Sequence, residues 1–430
     1  MRPRWLFPAL AISIAGMPLR TRAQDVIVIR AGRLVDVERG EVRQDQVILI
    51  SGERIEAVQP ASAPIPRGAR VIDLTRYTVL PGLIDCHTHL IGDIESASAT
   101  APLEHSAAQE VLAGVRHARE TLLAGFTTVR DVGTYRAFTD VALRDAIDNG
   151  TVPGPRMAVA GAYITVSSGG GEITGIAPDI VLPHDLRFGV ANSPDEVRQR
   201  VRELLNGGAD FIKIIATGAV LTPGTKPGVA EFSEDEIRAA VLEAAQYGTY
   251  VAAHAHGADG IKQAVRAGVR SIEHGSLLDD EGIALMREHH TYLVADIYNG
   301  DYIASEGRRQ GWSAEILRKN DETTASQRSA FRKAVAAGVP IAYGTDSGVY
   351  PHGMNAAQLP YMVRYGMTPL GAIQSATIEA ARLMGWEDRV GSIAPGKFAD
   401  IIAVEGDALA DLSRFMHVPF VMKGGVVVSR

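Results

Sequence analysis

Hydrophobic and polar positions alternate at both ends of the chain. Between residues 25 and 75 the alternation has the two-residue period of a β-strand, and Gly, Pro and charged turns separate the short β-branched runs. Residues 391–430 show the same pattern after the turn Ala394-Pro-Gly-Lys397. We therefore predict that residues 24–80 and 391–430 form one small β-sandwich domain, with the rest of the chain inserted between its two parts.

The middle of the chain, residues 81–390, alternates apolar runs with helical stretches rich in Ala, Glu and Arg. Some of these stretches end in Ala-Gly just before the next run, as at Ala267-Gly268 and Ala337-Gly338, where glycine suits a left-handed C-cap. Eight runs alternating with helices predict an α/β fold of the parallel (β/α)8 TIM-barrel type. An open doubly wound sheet is the alternative, but no G-x-G-x-x-G follows the first run. The runs are Thr78–Leu90, Gly125–Gly133, Pro155–Thr165, Asp210–Gly218, Thr249–Gly257, Ser271–Gly275, Thr291–Ile297 and Pro340–Gly348.

Residues 1–23 have the pattern of a secretory signal peptide. A basic start, Met1-Arg-Pro-Arg4, precedes the mostly apolar stretch Trp5–Leu19, and small residues allow cleavage near Ala23. A membrane anchor is the alternative, but the stretch is shorter than the roughly 20 residues that a span needs, and it contains two prolines. We expect an exported, periplasmic or secreted protein without a stable membrane span.

Charge and cysteine content narrow the function. The net charge is −7, and no dense Lys/Arg run is present, so nucleic acid is a poor candidate partner. The single cysteine, Cys86, can form no intrachain disulfide and no cysteine-rich zinc site. An exported protein of this kind must be stabilised by its core, by assembly or by bound metal.

Candidate metal ligands lie at the ends of the predicted strands, where a barrel keeps its active site. His87 and His89 are two residues apart, so they face the same side of a strand and suit a divalent metal. Lys213 stands in an apolar run, where its charge is costly unless it is paired or neutral. It could form an ion pair with a carboxylate such as Asp131. It could also react with carbon dioxide to give a carbamate that bridges two cations.

Three further runs end in His254-Ala-His256, Glu273-His274 and Thr345-Asp346-Ser347. Four of the twelve histidines, one lysine and one aspartate thus fall at five strand ends, which chance placement does not explain. We interpret the set as one metal site. Its members are His87, His89, Lys213, His254, His274 and Asp346.

The motifs Leu80-Pro-Gly-Leu-Ile-Asp-Cys-His-Thr-His89, Gly344-Thr-Asp346 and Gly391-Ser-Ile-Ala-Pro-Gly-Lys-Phe-Ala-Asp400 resemble those of the amidohydrolase superfamily. The resemblance covers nearly all of the mature chain and is greatest to the exported imidazolonepropionase-like or prolidase-like branch. Members of that branch are Xaa-Pro-type dipeptidases and carboxypeptidases, and a bacterial member hydrolyses ochratoxin A. The resemblance implies a barrel with a β-sandwich built from both termini. It also implies a homo-oligomer, plausibly an octamer.

The same resemblance implies a centre of two divalent ions, expected to be zinc. A carbamate formed from carbon dioxide on Lys213 would bridge them, and His256 would lie beside the site against the substrate. The implied ligands are His87, His89 and Asp346 for the more buried ion, and His254 and His274 for the more exposed one.

Such a centre would hydrolyse an amide bond. A water shared by two cations loses a proton near neutral pH, and Asp346 would accept that proton and pass it to the leaving amine. The expected activity is that of a carboxypeptidase or dipeptidase on N-acyl amino acids or Xaa-Pro-type dipeptides, including ochratoxin A, an acyl-phenylalanine. A cyclic amidase, deaminase or lactonase is the alternative. A non-enzymatic barrel is disfavoured because all six ligand-type residues are present.

Substrate contacts are predicted from position alone. Ser168 lies in the Gly-rich stretch after the third strand, where relatives often carry a histidine, and His352 follows the eighth strand. We predict that both, together with His256, contact the substrate, and that a cationic or phenolic group meets its carboxylate. The polar stretch Tyr298–Asn320, which contains Trp312, is either a lid or an assembly surface.

Overall fold

The structure, a computed structural model, describes residues 26–92, 97–98, 100–177 and 179–429. The predicted signal peptide lies outside the described residues. The strands are β1 Ile27–Asp36, β2 Glu41–Ser51, β3 Arg54–Pro60, β4 Arg70–Pro81, β5 Leu83–Thr88, β6 Phe126–Asp131, β7 Arg156–Val159, β8 Tyr163–Ile164, β9 Ile212–Ile215, β10 Val251–Ala255, β11 Ser271–His274, β12 Tyr292–Val294, β13 Ile401–Glu405, β14 Phe420–Lys423 and β15 Val426–Ser429. The helices are α1 Ala101–Glu104, α2 Ala107–Leu123, α3 Thr139–Asp148, α4 Pro194–Asn206, α5 Glu234–Gln246, α6 Ala258–Ala267, α7 Asp280–Glu288, α8 Asn299–Tyr302, α9 Arg308–Gln310, α10 Ala314–Ala337, α11 Gln358–Arg364, α12 Pro369–Ser375 and α13 Ile378–Met384.

Strands from both ends of the chain share one seven-stranded sheet, in the order β15-β14-β13-β4-β1-β2-β3. β1 and β4 pair in parallel, whereas β13 runs antiparallel to β4 and so joins the C-terminal strands to the N-terminal ones. Because side chains alternate along each strand, one face carries a common apolar layer that includes Ile29, Ile48, Ile72, Ile401 and Phe420. Strands from both termini therefore form one β-rich unit, and its sandwich form stays a prediction.

The middle of the chain forms two parallel sheets, β8 to β12 and β5 to β7. Their strands account for seven of the eight predicted runs. The eighth run forms no regular strand, but its backbone bonds to both sheets: Pro340 accepts from the Leu293 amide at 2.9 Å, and Tyr343 accepts from the Cys86 amide at 2.8 Å. The parallel α/β architecture predicted for the middle of the chain is confirmed by these sheets and the helices between them.

The helices cover the sheets because each presents an apolar face with helical spacing. In α5 the buried positions include Ile237, Ala240 and Ala244, and Ser233 forms a capping box with Glu236 at the N-terminus. Gly268 and Gly338 end α6 and α10 in the left-handed conformation, as the Ala-Gly pattern predicts.

The segment after β12 is longer and more helical than its sequence indicates. α8 and α9 precede α10, which begins at Ala314 and runs for 24 residues. Ile303, Trp312 and Ile316 pack against Val349, which follows the eighth run. This contact places the segment over the carboxyl ends of the parallel strands. Within the described part of the chain, no helix is both long enough and apolar enough to cross a membrane.

Candidate metal centre

The carboxyl ends of the parallel strands surround one pocket of about 1210 Å³, a volume that includes its open mouth. All six predicted metal ligands lie on its lining although they come from five separate segments of the chain. Parallel strands bring their carboxyl ends to one edge, which explains how distant residues meet. The six are His87, His89, Lys213, His254, His274 and Asp346.

One donor group forms where β5 meets the eighth run. Nε2 of His87 lies 3.3 Å from Oδ1 of Asp346, and Nε2 of His89 lies 3.2 Å from the same oxygen. Asp346 reaches this position because its backbone is left-handed, with φ of 57°. Burial alone would raise the pKa of its carboxyl, but the two histidines hold that pKa well below its usual range. Two imidazoles and a carboxylate at such separations fit a divalent ion such as zinc.

A second donor group joins His254, His256 and His274. Their ring centroids are 4.6 to 4.7 Å apart, and one donor nitrogen from each lies within 4.8 Å of the others. Burial lowers the pKa of His256 to about 3 and lowers that of His254 well below its usual value, with the neighbouring His274 adding to both shifts. Neutral imidazoles have the lone pairs that metal ions require, so this group also fits a divalent ion.

A buried ion pair stands behind His87. Nδ1 of His87 is 2.9 Å from Oε2 of Glu273, and Arg130 donates to Oε1 of Glu273 at 2.7 Å. Burial alone would raise the pKa of the Glu273 carboxyl, but Arg130 and His87 outweigh burial and lower it. A carboxylate that accepts from Nδ1 leaves Nε2 of His87 with its lone pair facing the pocket, as a metal ligand requires.

Asp296 is a functional residue that our sequence prediction missed. It lies near the carboxyl end of the run that contains β12. Its Oδ1 is 3.1 Å from Nδ1 of His274 and accepts a hydrogen bond from Gln327 at 2.7 Å. Asp296, His274 and Asp346 form a third group of donors within 4.8 Å of one another. The signal was present in the sequence, because Asp296 occupies the same strand-end position as the ligands of the other runs.

Lys213 is 1% exposed and is also part of the pocket lining. Burial lowers the pKa of its amine to about 8, against the opposing effect of Glu273, Asp346 and Asp296. Asp131, the ion-pair partner considered from the sequence, instead accepts from the Leu90 amide at 2.6 Å. The carboxylates that act on Lys213 are therefore those of the centre itself.

The three predicted substrate contacts have different outcomes. His256 lines the pocket, and its Nδ1 is 2.7 Å from Oγ of Ser276. Ser168 is exposed and lies outside the lining, because the chain turns at this left-handed residue and presents Gly170 and Gly171 to the pocket instead. His352 also lies outside the lining, where it stacks on His117 with ring centroids 4.3 Å apart. The structure therefore places His256 on the pocket lining and Ser168 and His352 outside it.

The pocket offers phenols rather than further cations for a substrate carboxylate. Among the described residues of the lining, Lys213 is the only lysine or arginine, whereas Tyr135 and Tyr163 both contribute their side chains. The hydroxyl of Tyr163 is 3.3 Å from Nδ1 of His89. Tyr135 and Tyr163 are thus the phenolic groups of the pocket lining.

Parallel strands that carry histidines, a lysine and an aspartate around one pocket define an α/β protein with a candidate metal centre. The chain belongs to the amidohydrolase family, which it matches over residues 78–428.

Individual relatives agree with this assignment. The chain is 34% identical to ochratoxinase of Aspergillus niger over 451 aligned positions, which cover 97% of this chain and 90% of that protein. A solved Xaa-Pro dipeptidase with bound methionine is 39% identical with a TM-score of 0.88, over 94% of this chain and 100% of that one. A prolidase complexed with N-methylphosphonate-L-proline is 31% identical with a TM-score of 0.86, over 94% and 100%. The protein is a hydrolase that acts on C–N bonds, as the sequence predicted.

Proposed function

We propose that this protein is a binuclear metal-dependent amide hydrolase that acts as a carboxypeptidase or dipeptidase. Its substrates are N-acyl amino acids or Xaa-Pro-type dipeptides, including ochratoxin A. The observation that carries the proposal is the convergence of two donor groups on one pocket, one around Asp346 and one around His274, with Lys213 on the same lining.

The position of each side chain determines whether it would bind a metal ion or transfer a proton. His87, His89 and Asp346 would hold one ion, and His254 and His274 the other. When bound, two divalent ions, zinc by their donor set, would activate a water molecule and polarise the amide carbonyl. The carboxylate of Asp346 takes the proton from the attacking water and gives it to the leaving nitrogen, because an amide nitrogen leaves readily only as a protonated amine.

Lys213 would join the two groups as a carbamate. A pKa of about 8 leaves a larger neutral fraction of the amine near neutral pH than an ordinary lysine has. The neutral nitrogen attacks carbon dioxide, a new N–C bond forms, and one proton is released. The product carries two oxygens, which suit it to bridge two cations and remove the cost of a buried ammonium.

The substrate class rests on the relatives and on the pocket. Ochratoxinase and the Xaa-Pro dipeptidase are named for cleavage of amides of an amino acid. Apolar side chains of the pocket, among them Ile173, Leu221, Ile303 and Val349, suit a bulky acyl or aromatic group.

Lys213→Ala tests the proposal. We expect the variant to lose nearly all hydrolysis of acyl-phenylalanines, Xaa-Pro dipeptides and ochratoxin A, and to bind fewer metal ions per chain. Product mass spectrometry gives the first readout and elemental analysis of the zinc-loaded protein gives the second. Incubation of the wild type with isotopically labelled bicarbonate should label Lys213.

Lys423→Met is the matched control. Lys423 is also a largely buried lysine whose pKa burial lowers to about 8, but it lies in β14 and donates to the Gly154 carbonyl at 2.6 Å, away from the pocket. We expect it to retain metal and activity. Full turnover by Lys213→Ala with its metal content intact would overturn the proposal, and preferred cleavage of hydantoins or lactones would point to the cyclic substrates of the alternative.

We also propose a closed barrel, export and assembly. Backbone bonds from the eighth run to Leu293 and Cys86 support closure between β12 and β5. The basic and apolar N-terminal sequence supports export with cleavage near Ala23. A homo-oligomer, plausibly an octamer, rests on the family resemblance. N-terminal sequencing of the exported protein and light scattering test the last two points.

A further inference from the structure

Asn299 occupies a special place beside the two carboxylates of the centre. It is the first residue of α8, is 4% exposed, and lies on the pocket lining. Its Nδ2 donates to Oδ2 of Asp296 at 2.7 Å and approaches Oδ2 of Asp346 at 3.3 Å. Only the nitrogen of an amide can donate to carboxylate oxygens, so these contacts fix which end of the side chain faces the carboxylates.

The opposite end of this amide is unsatisfied. Oδ1 of Asn299 is buried and has no hydrogen-bond partner among the residues that the structure describes. A buried acceptor without a donor is costly and uncommon, and such a group needs a specific explanation. Oδ1 has almost no exposed surface of its own, but the side chain belongs to the pocket lining. A small movement of the side chain on binding would let a molecule in the pocket supply the missing donor.

The position of Asp346 indicates which donor this is. Under the proposed function, on which this inference rests, Asp346 delivers a proton to the leaving nitrogen, so that nitrogen must come close to the carboxylate that Asn299 also touches. We propose that Oδ1 of Asn299 accepts a hydrogen bond from the N–H of the scissile amide. As the C–N bond breaks, the nitrogen keeps the bonding electron pair and takes the proton from Asp346, and the N–H contact to Asn299 persists in the departing amine.

This contact selects a substrate class. An N-acyl amino acid other than proline has an amide N–H and can make the contact in the ground state. An Xaa-Pro bond is a tertiary amide, which has no N–H until the nitrogen is protonated. The site is therefore adapted to secondary amides, such as acyl-phenylalanines, in preference to proline amides.

A pair of substrates tests the contact directly. N-benzoylphenylalanine has the N–H, and N-benzoyl-N-methylphenylalanine lacks it. The quantity measured is the ratio of kcat/KM for the first substrate to that for the second, with the zinc-loaded full chain. Asn299→Ala should lower this ratio by about tenfold or more relative to the wild type, because it removes the acceptor. Any effect of the methyl group on fit is common to both proteins.

Two further variants distinguish the role of Oδ1 as an acceptor from the role of Asn299 in supporting the carboxylates of Asp296 and Asp346. Asn299→Asp keeps an oxygen at the Oδ1 position but places a third carboxylate beside Asp296 and Asp346, so both rates should fall while the ratio is kept. Gln327→Met removes the 2.7 Å hydrogen bond to Asp296 and leaves Asn299 intact, so it should also keep the ratio.

The inference is supported if the ratio falls in Asn299→Ala and is kept in the other two variants. An unchanged ratio in Asn299→Ala would overturn it, as would an equal fall in all three. If Asn299→Ala does not fold, Asn299→Ser, whose shorter side chain does not reach as far, provides the same comparison. If the wild type cleaves none of the acyl-phenylalanines, Xaa-Pro dipeptides and ochratoxin A, the proposed function itself is overturned.

Discussion

Two ligand residues have a backbone that most side chains avoid. His274 has φ of 70° and Asp346 has φ of 57°, both in the left-handed region. This conformation costs a non-glycine residue about 1 kcal/mol or more, and such strain collects at functional sites. At Asp346 the turn ends the strand run and aims the carboxylate at His87 and His89. The left-handed backbone of Asp346 thus accounts for the geometry of the first donor group.

Glu110 is a residue whose charge state should affect stability. Burial raises the pKa of its carboxyl from 4.5 to about 7, although Arg136 acts in the opposite direction. Below the pKa that Glu110 has in the unfolded chain, its carboxyl is protonated in both the folded and the unfolded state. As pH rises toward 7 only the unfolded chain ionises, so this residue's contribution to stability is lost with rising pH.

We expect Glu110→Gln to remove this dependence. Its melting temperature, relative to that of the wild type, should be higher at about pH 8 than at about pH 5. Differential scanning calorimetry of both proteins in the same buffers measures the difference, and other groups cancel because they titrate in both. A difference that stays constant or falls with pH would contradict the role of Glu110.

At the scale of elements, α10 is fastened to a wall of the pocket. Lys319, 1% exposed, forms an ion pair with Glu315 at 2.8 Å and donates to the Thr222 carbonyl at 2.8 Å. Glu315 in turn accepts from the Gly224 amide at 3.0 Å. The segment Tyr298–Asn320 is thereby held against the loop 219–225, part of which lines the pocket. In the described chain this segment therefore covers the site and is bonded to its wall.

Lys319→Met should loosen this cover. We expect a stability loss of about 1–2 kcal/mol, because a buried carbonyl loses its donor, and a larger rise in KM than fall in kcat. The backbone amides of the loop 219–225 should also exchange their hydrogens with solvent faster.

Lys333→Met is the control on the same helix, since Lys333 is 57% exposed and pairs only with Asp280 in the described structure. Its stability, its KM and the hydrogen-exchange rates of the loop 219–225 should match those of the wild type. If both variants behave alike, the contacts of Lys319 do not hold the loop.

At the scale of the whole molecule, no covalent link joins the distant parts of the chain. The single cysteine, Cys86, is buried and free, so stability depends on packing and on what the protein binds. The pocket gathers ligands from β5, β9, β10, β11 and the eighth run, and an ion held there ties these segments together. Binding to the folded state alone stabilises a protein by mass action.

Removal of metal should therefore lower the melting temperature. At a free ion concentration about a thousandfold above Kd, bound metal is worth about 4 kcal/mol per site. We expect dialysis against a chelator to lower the melting temperature and added zinc to restore it in a concentration-dependent manner. The variant His87→Ala should respond less. A melting temperature that is indifferent to zinc would argue against a centre that links these segments.

The sequence alone was sufficient for features that depend on local periodicity. A two-residue period places His87 and His89 on one face of β5, and alternating runs predict parallel strands whose carboxyl ends share one edge. The six residues of metal-ligand type at those ends are therefore expected to lie close together, and all six line the pocket. Asp296 could have been found by the same argument because it also ends a strand run.

Only the tertiary structure decided the rest, because those features depend on the paths of loops and on contacts between segments distant in the chain. Asn299 contacts Asp296 and Asp346 together, and Ser168 lies outside the pocket lining because the chain turns it outward. From the sequence, Lys319 is an ordinary helix lysine, and only the structure shows its contact with the loop 219–225. Strand periodicity is local and is written in the sequence, whereas the direction in which a loop side chain points is set by everything that packs around it.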